Sequence, residues 1–98
     1  MTAYVIVDVD VQDPQRYARY KDMAKPVVEA FGGKYLARAG RTETLEGTWA
    51  PTRLVILEFP SIERAQAWLN SDEYREAREL RHATARTQMV VIEGYNGE

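Results

Sequence analysis

LEGTWAPTRLVILEFPS, residues 45–61, is the stretch that decides the fold. Its second half, Arg53–Phe59, is an apolar run of mostly Leu, Val and Ile, and it predicts a strand. Pro60 ends this strand, and Ser61 is a typical N-cap for the helix that follows. Two residues do not suit so simple a pattern. Trp49 lies in the connection before the strand, and Glu58 places a carboxylate inside it.

Similar strand and helix patterns occur on either side of this stretch. Residues 3–11 alternate between valines and a mixed set of side chains, which is the period-two pattern of a strand. Asp13-Pro14 predicts the start of a helix, and Gly32-Gly33 predicts its end. A second strand is predicted over Lys34–Ala39, and it continues over Thr42–Leu45 beyond a bulge at Gly40. The remaining predicted elements are a helix from Ser61, a helical segment from Asp72 to about Ala83, and a strand over Thr87–Tyr95.

This order of elements, β-α-β-β-α-β, predicts a ferredoxin-like α+β fold. In this fold a four-stranded antiparallel sheet carries two main helices on one face, and we expect residues 1–98 to form one such domain. The expected strand order is 4-1-3-2, and we expect strands one and three to be parallel neighbours. The opposite face of the sheet is left without a helix.

That uncovered face is too apolar to remain in water. If the valines of the first strand face the helices, the uncovered face carries Tyr4, Ile6, Asp8, Leu36, Arg38, Leu54, Ile56 and Glu58. Two such faces packed together would bury the apolar side chains. We therefore expect a homodimer joined sheet to sheet, in which the charged side chains line an internal cavity.

Several short motifs together resemble a known family. They are Y-V-I-V-D in the first strand, D-P-x-x-Y-x-x-Y at Asp13–Tyr20, G-K-Y-L-A-R at Gly33–Arg38, L-E-G-x-W at Leu45–Trp49, L-E-F-P-S at Leu57–Ser61, A-x-x-W at Ala65–Trp68 and S-x-E-Y at Ser71–Tyr74. With them the chain resembles, over nearly its whole length, a mostly bacterial family of unknown function in the dimeric α+β barrel superfamily. The resemblance implies the fold and the sheet-to-sheet dimer. Relatives in that superfamily include cofactor-free monooxygenases, muconolactone isomerases and haem-degrading enzymes.

The composition argues against several kinds of site. The chain has no cysteine and one histidine, so disulfides, thiolate chemistry and a transition-metal site are not expected. The net charge of −2 provides no basic field for nucleic acid or anionic membranes. No phosphate-binding glycine motif, signal peptide or membrane-length apolar run occurs in the sequence. We expect a cytoplasmic protein that uses no cofactor or metal and binds neither nucleic acid nor membrane.

Glu58 and Asp8 are the candidate catalytic residues. Glu58 could act as a general base on the uncovered face, or it could form an ion pair with an inward arginine or a hydrogen bond that fixes the strand register. Asp8, on the neighbouring strand, could share that role or could be a solvated acid at a strand end. With strands one and three parallel, the two carboxylates would lie close together and oppose each other's ionisation.

Arg38, Tyr4 and Trp49 are the candidate residues for binding a substrate. Arg38 could clamp an anion, or it could pair with an acid of its own or a second protomer. Tyr4 could donate a hydrogen bond into the cavity or pack in the dimer interface. Trp49 could cover the cavity mouth or contact the partner protomer, because so large an apolar surface is seldom left in water.

Two other residues that could suggest a site have simpler interpretations. Trp68 lies on the apolar stripe of a helix and is expected in the core, and His82 lies among charged residues and is expected at the surface. Two classes of function therefore remain open. One is a cofactor-free enzyme acting on a small carbonyl-bearing or aromatic metabolite, and the other is a non-catalytic dimeric module that binds a small molecule or has a structural role.

Overall fold

The computed structural model describes residues 1–97. Its elements, in chain order, are β1 (Ala3–Val11), α1 (Pro14–Ala30), β2 (Lys34–Arg38), β3 (Leu54–Phe59), α2 (Ile62–Leu69), α3 (Asp72–Thr84) and β4 (Ala85–Glu93). The ferredoxin-like order of elements is confirmed, with α2 and α3 together occupying the place of the second helix. Among these described elements, no helix is both long enough and apolar enough to span a membrane.

The four strands form one sheet in the order β2-β3-β1-β4, which confirms the predicted arrangement. Each neighbouring pair is antiparallel, including β1 and β3, so the expectation that these two strands are parallel is wrong. The physical reason lies in the connections. The crossover through α1 makes β2 parallel to β1. The chain then reverses direction, so β3 is antiparallel to both strands when it inserts between them.

The helices begin where the capping residues predict. The Asp13 carboxylate accepts a hydrogen bond from the Arg16 amide at 3.2 Å, and Pro14 occupies the first turn of α1. Ser61 accepts from the Arg64 amide at 3.0 Å at the start of α2. Ser71 caps α3 in the same way, at 3.1 Å. Each such cap contributes about 1 kcal/mol by satisfying an amide that has no partner within its helix.

The core lies between one face of the sheet and the helices. Alternate residues of β1 are buried there, which confirms the period-two pattern, and an aromatic cluster extends the core toward α2 and α3. In this cluster the Trp68 ring lies 5.2 Å from the Phe59 ring and 4.6 Å from the Tyr74 ring, measured between centroids. Trp68 is 2% exposed, as expected for a core residue. Of these three rings, that of Trp68 also lines the cavity described below.

Gly33 allows β2 to begin close against the core. A Cβ atom at this position would lie 2.6 Å from a Phe59 ring carbon and 2.9 Å from Val28. Both distances are shorter than packed carbon atoms tolerate, so a larger residue would push β2 away from β3 and α1. The Gly32-Gly33 pair therefore ends α1 and also sets the position of the next strand.

The bulge in β2 lies earlier than the sequence predicted. The register shifts between Tyr35 and Ala37, leaving Leu36 as the extra residue, whereas the bulge was expected at Gly40. Residues 39–53 form neither helix nor strand, so the predicted extension over Thr42–Leu45 is wrong. Because side chains alternate along a strand, one extra residue reverses the faces that follow it. Arg38 consequently points to the helix side.

The uncovered face of the sheet, here called the open face, is apolar at its centre. Val90 and Ile92 are 62% and 57% exposed. Their neighbours across β1 and β3 are half-buried in the protomer: Tyr4, Ile6, Leu54 and Ile56. This contiguous apolar surface has the character of a contact surface rather than of a solvated one.

Candidate functional site

The two candidate catalytic carboxylates lie at opposite ends of the open face. In the antiparallel register, Glu58 stands opposite Tyr4, and Asp8 stands opposite Leu54. The prediction that Asp8 and Glu58 share one end of the sheet is therefore wrong. The cause is the direction of β3. Because β3 runs antiparallel to β1, Glu58 near its carboxyl end lies beside the amino-terminal end of β1, far from Asp8. The two carboxylates cannot act on one small substrate within a protomer.

Glu58 forms an ion pair on the open face. Its carboxylate lies 3.2 Å from the ammonium group of Lys34, the residue opposite it on β2. The Lys34 side chain is 67% exposed, so the pair contributes at most about 1 kcal/mol. The arrangement supports the interpretation of Glu58 as a residue that fixes strand register, with a lysine as its partner.

Asp8 anchors the long connection between β2 and β3. One carboxylate oxygen accepts a hydrogen bond from the Trp49 indole nitrogen at 3.1 Å, and the other accepts from the Thr52 amide at 3.1 Å. Thr44 tightens the turn by donating to the Trp49 carbonyl at 2.7 Å. Trp49 is thereby held at one end of the open face, where it is 61% exposed in the protomer. Its contact with a partner protomer stays a prediction.

Arg38 lies on the helix side of the sheet and not on the open face, so that expectation is wrong. Its guanidinium donates a hydrogen bond to the Lys21 carbonyl of α1 at 3.1 Å. The same group stacks on the Tyr35 ring, 4.2 Å from the ring centroid. Neither Glu58 nor another described carboxylate forms an ion pair with it. Arg38 therefore borders a different space from the one predicted, between α1 and the sheet.

That space contains an enclosed pocket of about 30 Å³, here called the interior cavity. This volume is room for about one or two water-sized groups. Its walls come from the helix-facing side of all four strands and from each of the three helices. They consist of Val7, Val9, Tyr17, Tyr20, Tyr35, Arg38, Arg53, Val55, Leu57, Trp68, Arg81 and Met89.

Three side-chain nitrogens of residues that line the interior cavity have no hydrogen-bond partner among the described residues. They are Nε of Arg53, Nε of Arg81 and Nε1 of Trp68, and all three atoms are buried. Arg81 is 4% exposed, and its guanidinium makes one hydrogen bond within the described residues, from Nη1 to the Thr87 hydroxyl at 2.5 Å. No described carboxylate forms an ion pair with Arg53 or Arg81. The cavity thus combines positive charge with unsatisfied donors.

Two tyrosines that line the interior cavity, Tyr20 and Tyr35, have raised pKa values and stay protonated near neutral pH. Burial is the main cause that raises the pKa of Tyr20, and the neighbouring Tyr74, with a hydrogen bond between the two hydroxyls of 2.6 Å, raises it further. Burial likewise raises the pKa of Tyr35, against the opposing charge of Arg38. These hydroxyls can donate or accept hydrogen bonds, but they do not supply a base.

An open cleft of about 670 Å³ adjoins the interior cavity. Arg38 and Arg53 belong to the walls of both, so they stand at the junction. The rest of this outer cleft comes mainly from the exposed side of α1 and consists of Lys21, Asp22, Lys25, Pro26, Glu29 and Ala39.

Arg53 and Arg81 were not singled out from the sequence. Arg81 lies among the charged residues around His82, but it follows Ala77 at the spacing of one helical turn. The buried residues of α3 are Tyr74, Ala77, Arg81 and Thr84. An arginine on an apolar stripe was the signal that could have identified the site. His82, next to it, is exposed as expected.

The fold and the cavity define a ferredoxin-like α+β protein with a small polar site between its helices and its sheet. Residues 2–95 match the family described as "Domain of unknown function (DUF1330)". The chain belongs to this family, which confirms the resemblance seen in its motifs. No match is found among curated proteins.

Solved structures share the fold at low sequence identity. A protein of unknown function from Rhodopseudomonas palustris has 20% identity and a TM-score of 0.80, over 97% of this chain and 83% of that one. SnoaB, a cofactor-independent oxygenase from Streptomyces nogalater, has 6% identity and a TM-score of 0.68, and the match covers 97% of this chain and 94% of SnoaB. A dimeric ferredoxin-like protein of unknown function from Jannaschia sp. has 13% identity and a TM-score of 0.65, over 96% and 100%.

Proposed function

We propose that the protein is a homodimer that binds a small molecule in the interior cavity of each protomer. The observation that carries this proposal is the group of three buried donors without partners around one cavity. Buried polar groups in native proteins are nearly always hydrogen-bonded, and each orphan weakens folding. A bound molecule with acceptor atoms would supply partners for donors on these three residues.

The proposed dimer joins two open faces. It is supported by the apolar centre of that face and by the dimeric state of the Jannaschia protein with the same fold. Pairing leaves the interior cavity accessible, because its outer cleft opens beside α1, on the other side of the sheet. We place this dimer in the cytoplasm, in keeping with the absence of cysteine.

Trp68 provides a direct test of binding in the cavity. In a Trp49→Phe variant it is the single remaining tryptophan, so its fluorescence reports on the cavity. Benzoate and benzamide, and the smaller pair acetate and acetamide, serve as probes. We expect at least one of them to change the Trp68 emission with a saturable dependence. The reciprocal Trp68→Phe variant, which retains Trp49, should show no such change. A flat response from every probe would count against the cavity as a binding site.

A cofactor-free enzyme acting between the two sheets is the second candidate. It is favoured by the way Asp8 holds Trp49 beside a pocket of about 330 Å³. In this hypothesis Asp8 removes a proton from a small carbonyl-bearing or aromatic metabolite, whereas Glu58 and Tyr4 lie at the other end of the open face. The test is exchange of the α-protons of 2-oxobutanoate in D2O, followed by NMR. Exchange no faster with the protein than with an Asp8→Asn variant would remove this candidate.

A further inference from the structure

We infer that the ligand of the interior cavity is a small organic carboxylate, whose carboxylate group binds between Arg81 and Arg53. This inference rests on the proposed function and adds to it the charge and the chemical class of the ligand. It is carried by the position of two arginines, by their free donors and by the shape of the space beside them.

The charge of Arg81 lacks a counter-charge. This residue is 4% exposed, and within the described part of the chain it has no acidic partner. A buried cation is strongly unfavourable unless an anion or several hydrogen bonds compensate it. Thr87 supplies one neutral acceptor. Nearby, Arg53 adds a second guanidinium without an ion pair, so a bound anion would neutralise the strongest local field.

The free donor of Arg81 is suited to a carboxylate. Because Nη1 of Arg81 is used by Thr87, the side of the guanidinium that carries Nε remains available. Arginine binds a carboxylate through two parallel N–H groups, and such charge-assisted bonds are stronger than neutral ones. Trp68, whose indole N–H also lacks a partner, lines the same cavity.

The dimensions place the carboxylate inside and the rest of the ligand outside. The interior cavity of about 30 Å³ admits a head group, whereas the adjoining outer cleft of about 670 Å³ can hold the body of a small metabolite. The outer cleft contains the cations Lys21, Lys25, Arg38 and Arg53 and the anions Asp22 and Glu29. Arg53 stands at the junction and Arg81 lines only the interior cavity, so this positive charge favours a ligand whose anionic end points inward.

The test compares each carboxylate with its neutral amide in the Trp49→Phe background. We expect benzoate or acetate to bind about ten-fold more tightly than benzamide or acetamide, and more tightly than inorganic phosphate. Arg81→Gln and Arg53→Gln should each weaken carboxylate binding by about ten-fold or more. Arg75→Gln, on the exposed side of the same helix as Arg81, is the matched control and should leave the affinity unchanged.

Each alternative result has a definite meaning. Equal affinity for an amide and its carboxylate would overturn the inference while leaving the cavity as a binding site. Tighter binding of phosphate would also overturn it, in favour of a tetrahedral oxyanion. If none of the probes changes the Trp68 fluorescence emission, the proposed function itself is rejected. If Arg81→Gln fails to fold by circular dichroism, Arg53→Gln and Arg81→Lys decide the matter. Unchanged carboxylate affinity in both of these variants would overturn the inference.

Discussion

Replacing Arg81 with methionine should stabilise the ligand-free protein. The substitution keeps a long, flexible side chain in the core and removes a cation that is 4% exposed and has no acidic partner. The burial penalty for such an ion is several kcal/mol. The lost hydrogen bond to Thr87, 2.5 Å long, offsets about 1.5–3 kcal/mol of this gain. We expect a net increase of about 1–2 kcal/mol in the free energy of unfolding.

This change is large enough to measure by chemical or thermal unfolding. Urea titration followed by circular dichroism should move the midpoint upward with little change in the slope. The melting temperature should rise by about 4–8 °C for each kcal/mol in a domain of this size. Wild type and variant must be compared at equal protein concentration, because the proposed dimer would contribute to the apparent stability of both.

The controls separate charge from packing. Arg75→Met removes an exposed arginine from the same helix and should shift stability by less than about 0.5 kcal/mol. Saturating benzoate should raise the stability of the wild type and leave that of Arg81→Met unchanged, because the bound anion neutralises the same charge that the substitution removes. An Arg81→Met protein less stable than the wild type without ligand would refute the reasoning, since Arg81 would then be compensated within the fold.

Three further predictions concern the dimer, the connection before β3 and the buried tyrosines. Ile56→Glu, at the centre of the open face, should halve the mass measured by light scattering. The control Ala18→Glu, on the exposed side of α1, should leave the mass unchanged. An unchanged mass for Ile56→Glu would place the dimer interface elsewhere. Trp49→Phe removes the hydrogen bond to Asp8 and should cost about 0.5–1.5 kcal/mol in urea unfolding, and a neutral result would show that the anchor adds no stability. Since the pKa of Tyr20 is raised by burial and by Tyr74, its contribution to stability is fully present below about pH 10 and is lost as pH rises further, by at most ~1.4 kcal/mol per pH unit. Tyr20→Phe should flatten this alkaline loss measured by thermal unfolding, and an equally steep loss would assign it to another group.

The sequence predicted those features that depend on local chemistry. The alternation in β1 is visible because one face of the strand is buried and the other is not. Asp13, Ser61 and Ser71 mark helix starts because a short polar side chain satisfies an amide that has no helical partner. The order of the strands followed from the order of the elements.

Features that depend on register were not predictable in the same way. One extra residue in β2 turns Arg38 from the open face to the helix side, and nothing local in K-Y-L-A-R marks Leu36 as that residue. The direction of β3 relative to β1 likewise decides whether Asp8 and Glu58 meet. The cavity donors on Arg53, Trp68 and Arg81 come from three separate elements or connections, so their meeting is a property of tertiary packing.

The most direct test of the interior site is the indole N–H signal of Trp68 in a proton–nitrogen NMR spectrum. The protein has two tryptophans and therefore two such signals, which the Trp49→Phe variant assigns. Titration with benzoate should shift the Trp68 signal as its unpartnered N–H gains an acceptor, while the Trp49 signal, already bonded to Asp8, stays in place. A shift confined to Trp49 would place the ligand at the open face and contradict the site between the helices and the sheet.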